Sequence, residues 1–192
     1  KTPTKEELKD YKRFEITKNG ISPITYPGIE GGEHQTAGIE HDEYGYPSSD
    51  VDVHKKMTIK RYSKYNAIKE EFSFERFYGP DDAEIGIIAW GSTKGAVKEA
   101  VKKANEKGVK IQALIPQIIY PFLLKPFKKF LQNKKKVIIV EMAYSGPFER
   151  YLRGFINFGK YGVTTFPYRL PGGAPFTVEE ILNKITEVLK EK

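Results

Sequence analysis

The stretch from Glu84 to Ile115 constrains this chain more than any other. Ile85–Trp90 is a short apolar run rich in β-branched residues, the pattern of a strand buried on both faces. A turn at Gly91-Ser92-Thr93 follows, and Ala96, Val97, Ala100, Val101 and Ala104 then recur at helical spacing. Gly108 supplies a helix stop, and a second apolar run, Val109–Ile115, begins at once. Strand, tight turn, amphipathic helix and strand make one βαβ unit, which requires a parallel sheet with a right-handed crossover. The rest of the second half repeats the pattern. Val137–Val140 reads as a third buried strand with Glu141 at its end, and Gly146-Pro147 opens a helix with apolar Phe148, Tyr151, Leu152, Phe155 and Ile156. Val163–Tyr168 reads as a fourth strand. Thr177-Val178-Glu179-Glu180 is a capping box ahead of a final amphipathic helix. The expected fold is therefore α/β: a three-layer domain on a mostly parallel sheet of four to five strands over residues 81–192.

Residues 1–80 have a different character. From Asn19 to Asp50 the chain is dense in turn formers, among them Asn19-Gly20, Pro27-Gly28, Gly31-Gly32 and Tyr46-Pro47, so an extended, loop-rich arm is expected there. A long irregular segment of this kind is usually functional or lies against another surface. Lys5–Arg13 is expected to form at most a short helix. Ser49-Asp50 caps an expected helix from about Val51 to Phe72, with Val53, Met57, Tyr62 (or Arg61), Tyr65 and Ile68 on an imperfect stripe and Lys55, Lys56, Lys60, Arg61, Lys64 and Lys69 making the exposed faces basic. Phe72–Tyr78 is a short aromatic alternation ahead of Gly79-Pro80.

Charge is unevenly placed. The net +7 comes from the second part, because residues 29–54 contain seven acidic side chains, no Lys or Arg, and all 3 histidines, His34, His41 and His54. His41, Asp42 and Glu43 with His34 or His54 invite a metal reading, but their spacing matches no metal motif. An acidic surface that satisfies its own backbone or meets a partner is the plainer expectation. Cysteine is absent, which excludes disulfides, thiolate metal sites and a cysteine nucleophile, and accords with a reducing cytoplasmic setting. No run approaches the ~18 apolar residues of a membrane span.

Two further features carry ligand readings. The turn Gly91, Ser92, Thr93 and Lys94 joins a strand to a helix, where free amide groups favour an anion such as phosphate or carboxylate. It is neither a P-loop nor a dinucleotide fingerprint, and Ser92 or Thr93 could simply cap the helix. Lys125, Lys128, Lys129, Lys134, Lys135 and Lys136 form a basic run that would suit nucleic acid or an acidic partner, but no nucleic-acid-binding motif accompanies it. Glu141, a carboxylate at a strand end, is expected to cap a turn or pair with a lysine rather than to catalyse.

A resemblance rests on motifs spread over nearly the whole chain. These are Tyr11–Thr17, Gly20-Ile21-Ser22-Pro23, Pro27-Gly28, Gly38-Ile39-Glu40-His41-Asp42-Glu43 followed by Gly45, then His54, Lys60-Arg61 and Trp90-Gly91-Ser92-Thr93. In this order they resemble the carboxy-terminal part of the α subunit of 2-oxoacid:ferredoxin oxidoreductases, the 2-oxoglutarate branch in particular. The resemblance implies a connector followed by a transketolase C-terminal-like domain. It implies a complex that decarboxylates a 2-oxoacid on thiamine diphosphate with Mg, passes electrons through an iron–sulfur cluster to ferredoxin, and forms an acyl-CoA. This chain would bind none of those cofactors and would not be catalytic alone. Its expected partners are the pyrimidine-binding domain of the same subunit, the β subunit and, through the complex, ferredoxin. Glu40, His41, Asp42, Glu43 and His54 are then interface candidates, and the start at Lys1 without Met fits a piece of something longer. Ile24 stands where the family usually has Arg, and Ala143 and Gly146-Pro147 stand where it has Asn and Gly-Gln, so the roles of those polar residues do not carry over. The alternative is an independent α/β domain binding a phosphate or carboxylate at Gly91–Gly95.

Overall fold

The computed structural model describes residues 1–71 and 76–191, without the side chains of Glu70 and Glu71. The expected aromatic alternation over 72–78 and the expected last residue of the long helix, Phe72, lie partly or wholly outside the described residues. The chain divides into two compact units, Lys1–Ser73 and Phe74–Lys192.

In the first unit a single 3-10 turn, Glu7–Asp10, precedes a long irregular path that contains one isolated bridge between His41 and Pro47. Hydrogen bonds between distant parts of the path hold it together. The Thr25 hydroxyl donates to the Gly32 carbonyl at 2.7 Å, the Tyr11 hydroxyl donates to the Pro23 carbonyl at 3.1 Å, and the Phe14 amide donates to the Glu43 carbonyl at 2.9 Å. Helix α1, Val51–Glu71, starts where expected because Asp50 Oδ1 accepts the Val53 amide at 2.8 Å. Its burial departs from expectation. Met57 is buried, but Tyr62 is 61% exposed, whereas Lys60, expected on an exposed face, is only 4% exposed. Aliphatic stem and amine both turn inward toward Phe14, a placement that the charged head alone would not suggest.

The second unit is a five-stranded sheet in the order β1-β3-β2-β4-β5, formed by β1 Phe77–Tyr78, β2 Ile85–Ala89, β3 Ile111–Leu114, β4 Lys136–Glu141 and β5 Thr164–Arg169. The last four pair in parallel, while β1 runs antiparallel on the β3 edge. Four helices complete it: α2 Lys94–Glu106, α3 Leu124–Leu131, α4 Pro147–Phe155 and α5 Val178–Lys190. The two-residue strand period sends alternate side chains to opposite faces. Ile87, Ala89, Ile138 and Val140 pack with α2 and α5, whereas Ile88, Val137 and Ile139 pack with α3 and α4. Three layers result, as the patterning implied. Gly86 has a packing reason, because a Cβ there would lie 2.5 Å from the Phe130 ring.

The element ends follow from local chemistry. Helix α2 stops in a Schellman arrangement: Gly108 has φ +82°, its amide bonds Asn105, and the Val109 amide bonds Ala104. The capping box at Thr177 and Glu180 forms in both directions, with each residue accepting the other's backbone amide.

Candidate functional site

In sequence order the parallel strands are arranged 2-1-3-4, so the strand order reverses between β2 and β4. The crevice beyond the carboxyl ends of those two strands is where an open α/β sheet binds ligands. It is bordered by Trp90–Lys94 on one side and by 141–146 on the other. Trp90 is 40% exposed and its ring lies 5.6 Å from that of Phe148.

The structure assigns internal tasks to most of the polar groups there. The Thr93 hydroxyl donates to the Trp90 carbonyl at 2.8 Å, and neither Ser92 nor Thr93 caps α2 with its side chain. Gly91–Thr93 instead form a 3-10 turn that feeds straight into α2, with the Lys94 amide bonded to the Gly91 carbonyl. The Ser92 hydroxyl faces Met142 Sδ at 3.5 Å. Glu141 is 2% exposed, and its two carboxylate oxygens accept the Phe148 and Glu149 amides at 2.8 and 3.2 Å. It therefore caps α4 through space, doing for Gly146, whose φ is +70°, what a side-chain cap does elsewhere.

Next to it, Glu149 is also buried and is bonded by Arg153 at 2.9 Å and Arg169 at 2.5 Å. Burial raises the Glu149 carboxyl, yet hydrogen bonds from Arg169 and Arg153 outweigh it and leave the group below its ordinary value. The Glu149–Arg153 spacing of four is a helical pair that the sequence shows; the Arg169 contribution depends on β5 lying beside β4 and has no local signal.

The arm candidates are brought together only in part. The Glu40 carboxylate is bonded by both Arg61 and His54, which joins the Gly38–Glu43 stretch to α1. Hydrogen bonds from Arg61, and then His54, hold the Glu40 carboxyl down at about 2 against a small burial penalty. His41 is buried, packs against Phe14 with 4.0 Å between ring centroids and a 40° tilt, and places Nδ1 2.8 Å from the Asp42 carbonyl. Asp42 Oδ1 accepts the amides of Tyr44 and Tyr46, and Glu43 Oε1 accepts the Ile16 amide at 2.8 Å. His34 sits apart, with Nδ1 2.9 Å from the Gly32 carbonyl. Among the described residues no group of three or more His, Asp or Glu side chains is placed to hold a metal ion.

A carboxyl group lowered in the folded state adds stability above its unfolded value and loses it as pH falls toward the folded one. Between about pH 4.5 and 2, the arm should therefore lose stability more steeply in the parent chain than in a Glu40→Gln variant. Following α1 amide exchange across that range checks it, and identical acid limbs would remove Glu40 from the account.

The basic run is not one surface. Lys134 is buried 5.0 Å from the Phe130 ring centroid, with its amine lowered by that burial; Lys135 pairs with Glu84 at 2.6 Å; and Lys136 bonds the Val188 carbonyl at 2.9 Å. Lys134 and Lys136 thus turn to the fold, while Lys125, Lys128, Lys129 and Lys135 stay exposed, so the surface is smaller than the run suggests.

What fold and crevice define is a mostly parallel α/β domain whose buried carboxylates, Glu141 and Glu149, are spent on its own backbone and arginines, on a chain with a long irregular arm. Comparison with known proteins gives that description a family. Residues 83–181 match the family model described as pyruvate:ferredoxin oxidoreductase core domain II. A 2-oxoacid:ferredoxin oxidoreductase subunit alpha of Saccharolobus solfataricus is 36% identical over 140 residues, covering 71% of this chain and 22% of that protein. Subunit alpha of 2-oxoacid:ferredoxin oxidoreductase 2 of Aeropyrum pernix is 32% identical over 147 residues, 75% of this chain and 23% of that one. The solved 2-oxoglutarate:ferredoxin oxidoreductase of Magnetococcus marinus, with 2-oxoglutarate, coenzyme A and succinyl-CoA bound, superposes with a TM-score of 0.76 at 32% identity, over 99% of this chain and 32% of that one. The chain belongs to the 2-oxoacid:ferredoxin oxidoreductase α-subunit family. It spans less than a quarter of the length of those two curated relatives.

Proposed function

We propose that this chain is the connector and carboxy-terminal, transketolase C-terminal-like domain of an α subunit. The complex would be a thiamine-diphosphate-dependent 2-oxoacid:ferredoxin oxidoreductase, in which this part serves assembly rather than the chemical steps. The family match makes the complex the natural setting, and one structural observation carries the role. The first unit buries a single large apolar side chain among its described residues, Met57, while Tyr26, Ile39, Tyr46, Val51, Ile59 and Tyr62 are each more than half exposed. A unit so poor in core and so rich in exposed aromatics and aliphatics gains its stability from a covering surface. Glu40, His41, Asp42, Glu43 and His54 are proposed to lie on that interface, as the acidic rim around the apolar contacts. With no cysteine in the chain, thiolate-held iron–sulfur clusters belong to other parts of the complex. The described residues include no helix long and apolar enough to cross a membrane, and a cytoplasmic location goes with this reading.

Mixing the chain with a thiamine-binding α-subunit remainder and β subunit tests the role by size-exclusion chromatography. A stoichiometric co-eluting complex is expected, with the exposed arm residues gaining protection from amide exchange. Separate elution with an unchanged exchange pattern would refute it. The same titration with phosphate or a nucleotide reads the alternative anion site at Gly91, Ser92, Thr93 and Lys94, where a ligand-dependent rise in melting temperature would favour the independent-domain reading.

A further inference from the structure

The two sides of the sheet differ in charge. On one side α2 and α5 carry both signs and pair them: Glu99 with Lys103, Glu106 with Lys102, and Glu187 with Lys184. The other side is covered by α3 and α4, and the stretches 107–140 and 150–178 contain no acidic side chain. Glu141 and Glu149, which fall between them, are buried and already bonded. Lys125, Lys128 and Arg150 are exposed on α3 and α4, and among the described residues none of the three has an ion-pair partner. Like charges gathered this way repel one another and gain when an opposite surface approaches. Aromatic rings sit beside them. Phe155, 48% exposed, stacks on Phe122 with 4.4 Å between centroids, and Tyr151 meets Phe155 edge-on at 5.0 Å. Phe122 also stacks on buried Phe127 at 4.8 Å, and the Tyr151 hydroxyl donates to the Ile119 carbonyl, so the cluster is fixed to α3, α4 and the segment before α3. Lys125 follows Phe122 by three residues, and Arg150 directly precedes Tyr151. An immobilised aromatic centre with a charged rim is the anatomy of a protein interface.

We infer that the α3–α4 side of the sheet docks an acidic protein surface carried by the rest of the complex. The Phe122–Tyr151–Phe155 cluster is its apolar centre, and Lys125, Lys128 and Arg150 are its rim. The inference rests on the proposed function for the partner, and it adds a second interface, on the sheet unit and opposite in sign to the acidic rim of the arm. The charge selects among occupants. A second copy meeting this face with its own would bring cation onto cation, so an isologous dimer is disfavoured. An uncharged partner would strip water from Lys125, Lys128 and Arg150 without replacing it. Nucleic acid would satisfy the charges, but bases stack on rings that stand open, whereas Phe122 and Phe155 spend ring faces on each other and Tyr151 stands edge-on to both. A carboxylate-rich protein surface with an apolar residue for Phe155 meets both requirements.

The test measures binding of the whole chain to the thiamine-binding α-subunit remainder and β subunit at about 0.05 M and about 0.2 M salt. Three variants accompany the parent: Lys125→Glu with Lys128→Glu, Phe155→Ala, and Lys102→Glu with Lys103→Glu on the opposite side of the sheet. The α3 pair and Phe155→Ala should each weaken binding at least about tenfold, the α3 pair mainly by slowing association at low salt. The α2 pair changes net charge equally and should stay within about twofold of the parent. Unchanged binding by the α3 pair, or an equal loss in the α2 pair, would overturn the inference and leave the proposed function standing. Failure of the parent itself to bind would instead remove the proposed function and this interface with it. Retention of the parent on DNA or RNA at about 0.2 M salt, lost in the α3 pair, would overturn the choice of a protein partner. The α3 pair replaces exposed side chains only, so its result stands even where Phe155→Ala does not fold.

Discussion

Glu141→Ala should lower the unfolding free energy of the sheet unit by about 3 kcal/mol, as read from the midpoint of urea unfolding followed by Trp90 fluorescence. The carboxylate is 2% exposed and accepts two amides at the start of α4, at 2.8 and 3.2 Å. Alanine leaves both donors without a partner in a place water reaches poorly, and it removes a charge that favours the positive end of the helix. Glu141→Gln is the informative companion. One amide oxygen can still accept, but its NH2 group faces the second donor, so the loss should be about half as large. Equal stability of parent and Glu141→Ala would mean that the carboxylate is held for another purpose, such as chemistry in the crevice.

Gly45→Ala should cost the first unit about 3 kcal/mol or more, enough to unfold the arm on its own. Gly45 has φ +96°, where side chains other than glycine are strained, and a Cβ there would lie 2.1 Å from the Gln35 carbonyl oxygen. The obstacle is backbone, so no rotamer change relieves it. Gly45 follows the Gly38–Glu43 stretch, and its own amide closes the turn onto the Asp42 carbonyl at 3.2 Å. The expected signature is loss of amide protection over 35–47 with the sheet unit unaffected. Retained protection would mean that the turn can re-form around the methyl group.

Much of the fold was legible because it rests on periodicity. The runs at 85–90, 109–115, 137–140 and 163–168 correspond to the parallel strands, and the alanine and valine spacing after Thr93 gives the buried face of α2. The edge strand β1 falls within the aromatic alternation at 72–78, but its antiparallel pairing was not legible; Phe77 and Tyr78 pair with Leu114 and Ala113, a non-local event. Capping at Thr177 was plain from local spacing, whereas the cap of α4 comes from Glu141 on the preceding strand and needs the three-dimensional turn at Gly146. The lysines show the same limit in electrostatic form. A run of like charges suggests a solvated patch, yet Lys60 and Lys134 go inward because their stems and amines find aromatic rings at Phe14 and Phe130. The acidic stretch at 38–43 announced itself by composition, but what each group does, Glu40 on Arg61 and His54, Glu43 on Ile16, could be read only from the folded arm.

The most direct measurement is 2-oxoacid-dependent reduction of ferredoxin, with coenzyme A present, by a thiamine-binding α-subunit remainder and β subunit with and without this chain. The account predicts that the chain alone is inactive, that the remainder alone is severely impaired, and that adding the chain restores turnover at one equivalent. Turnover by the chain alone, or full activity of the remainder without it, would contradict the account.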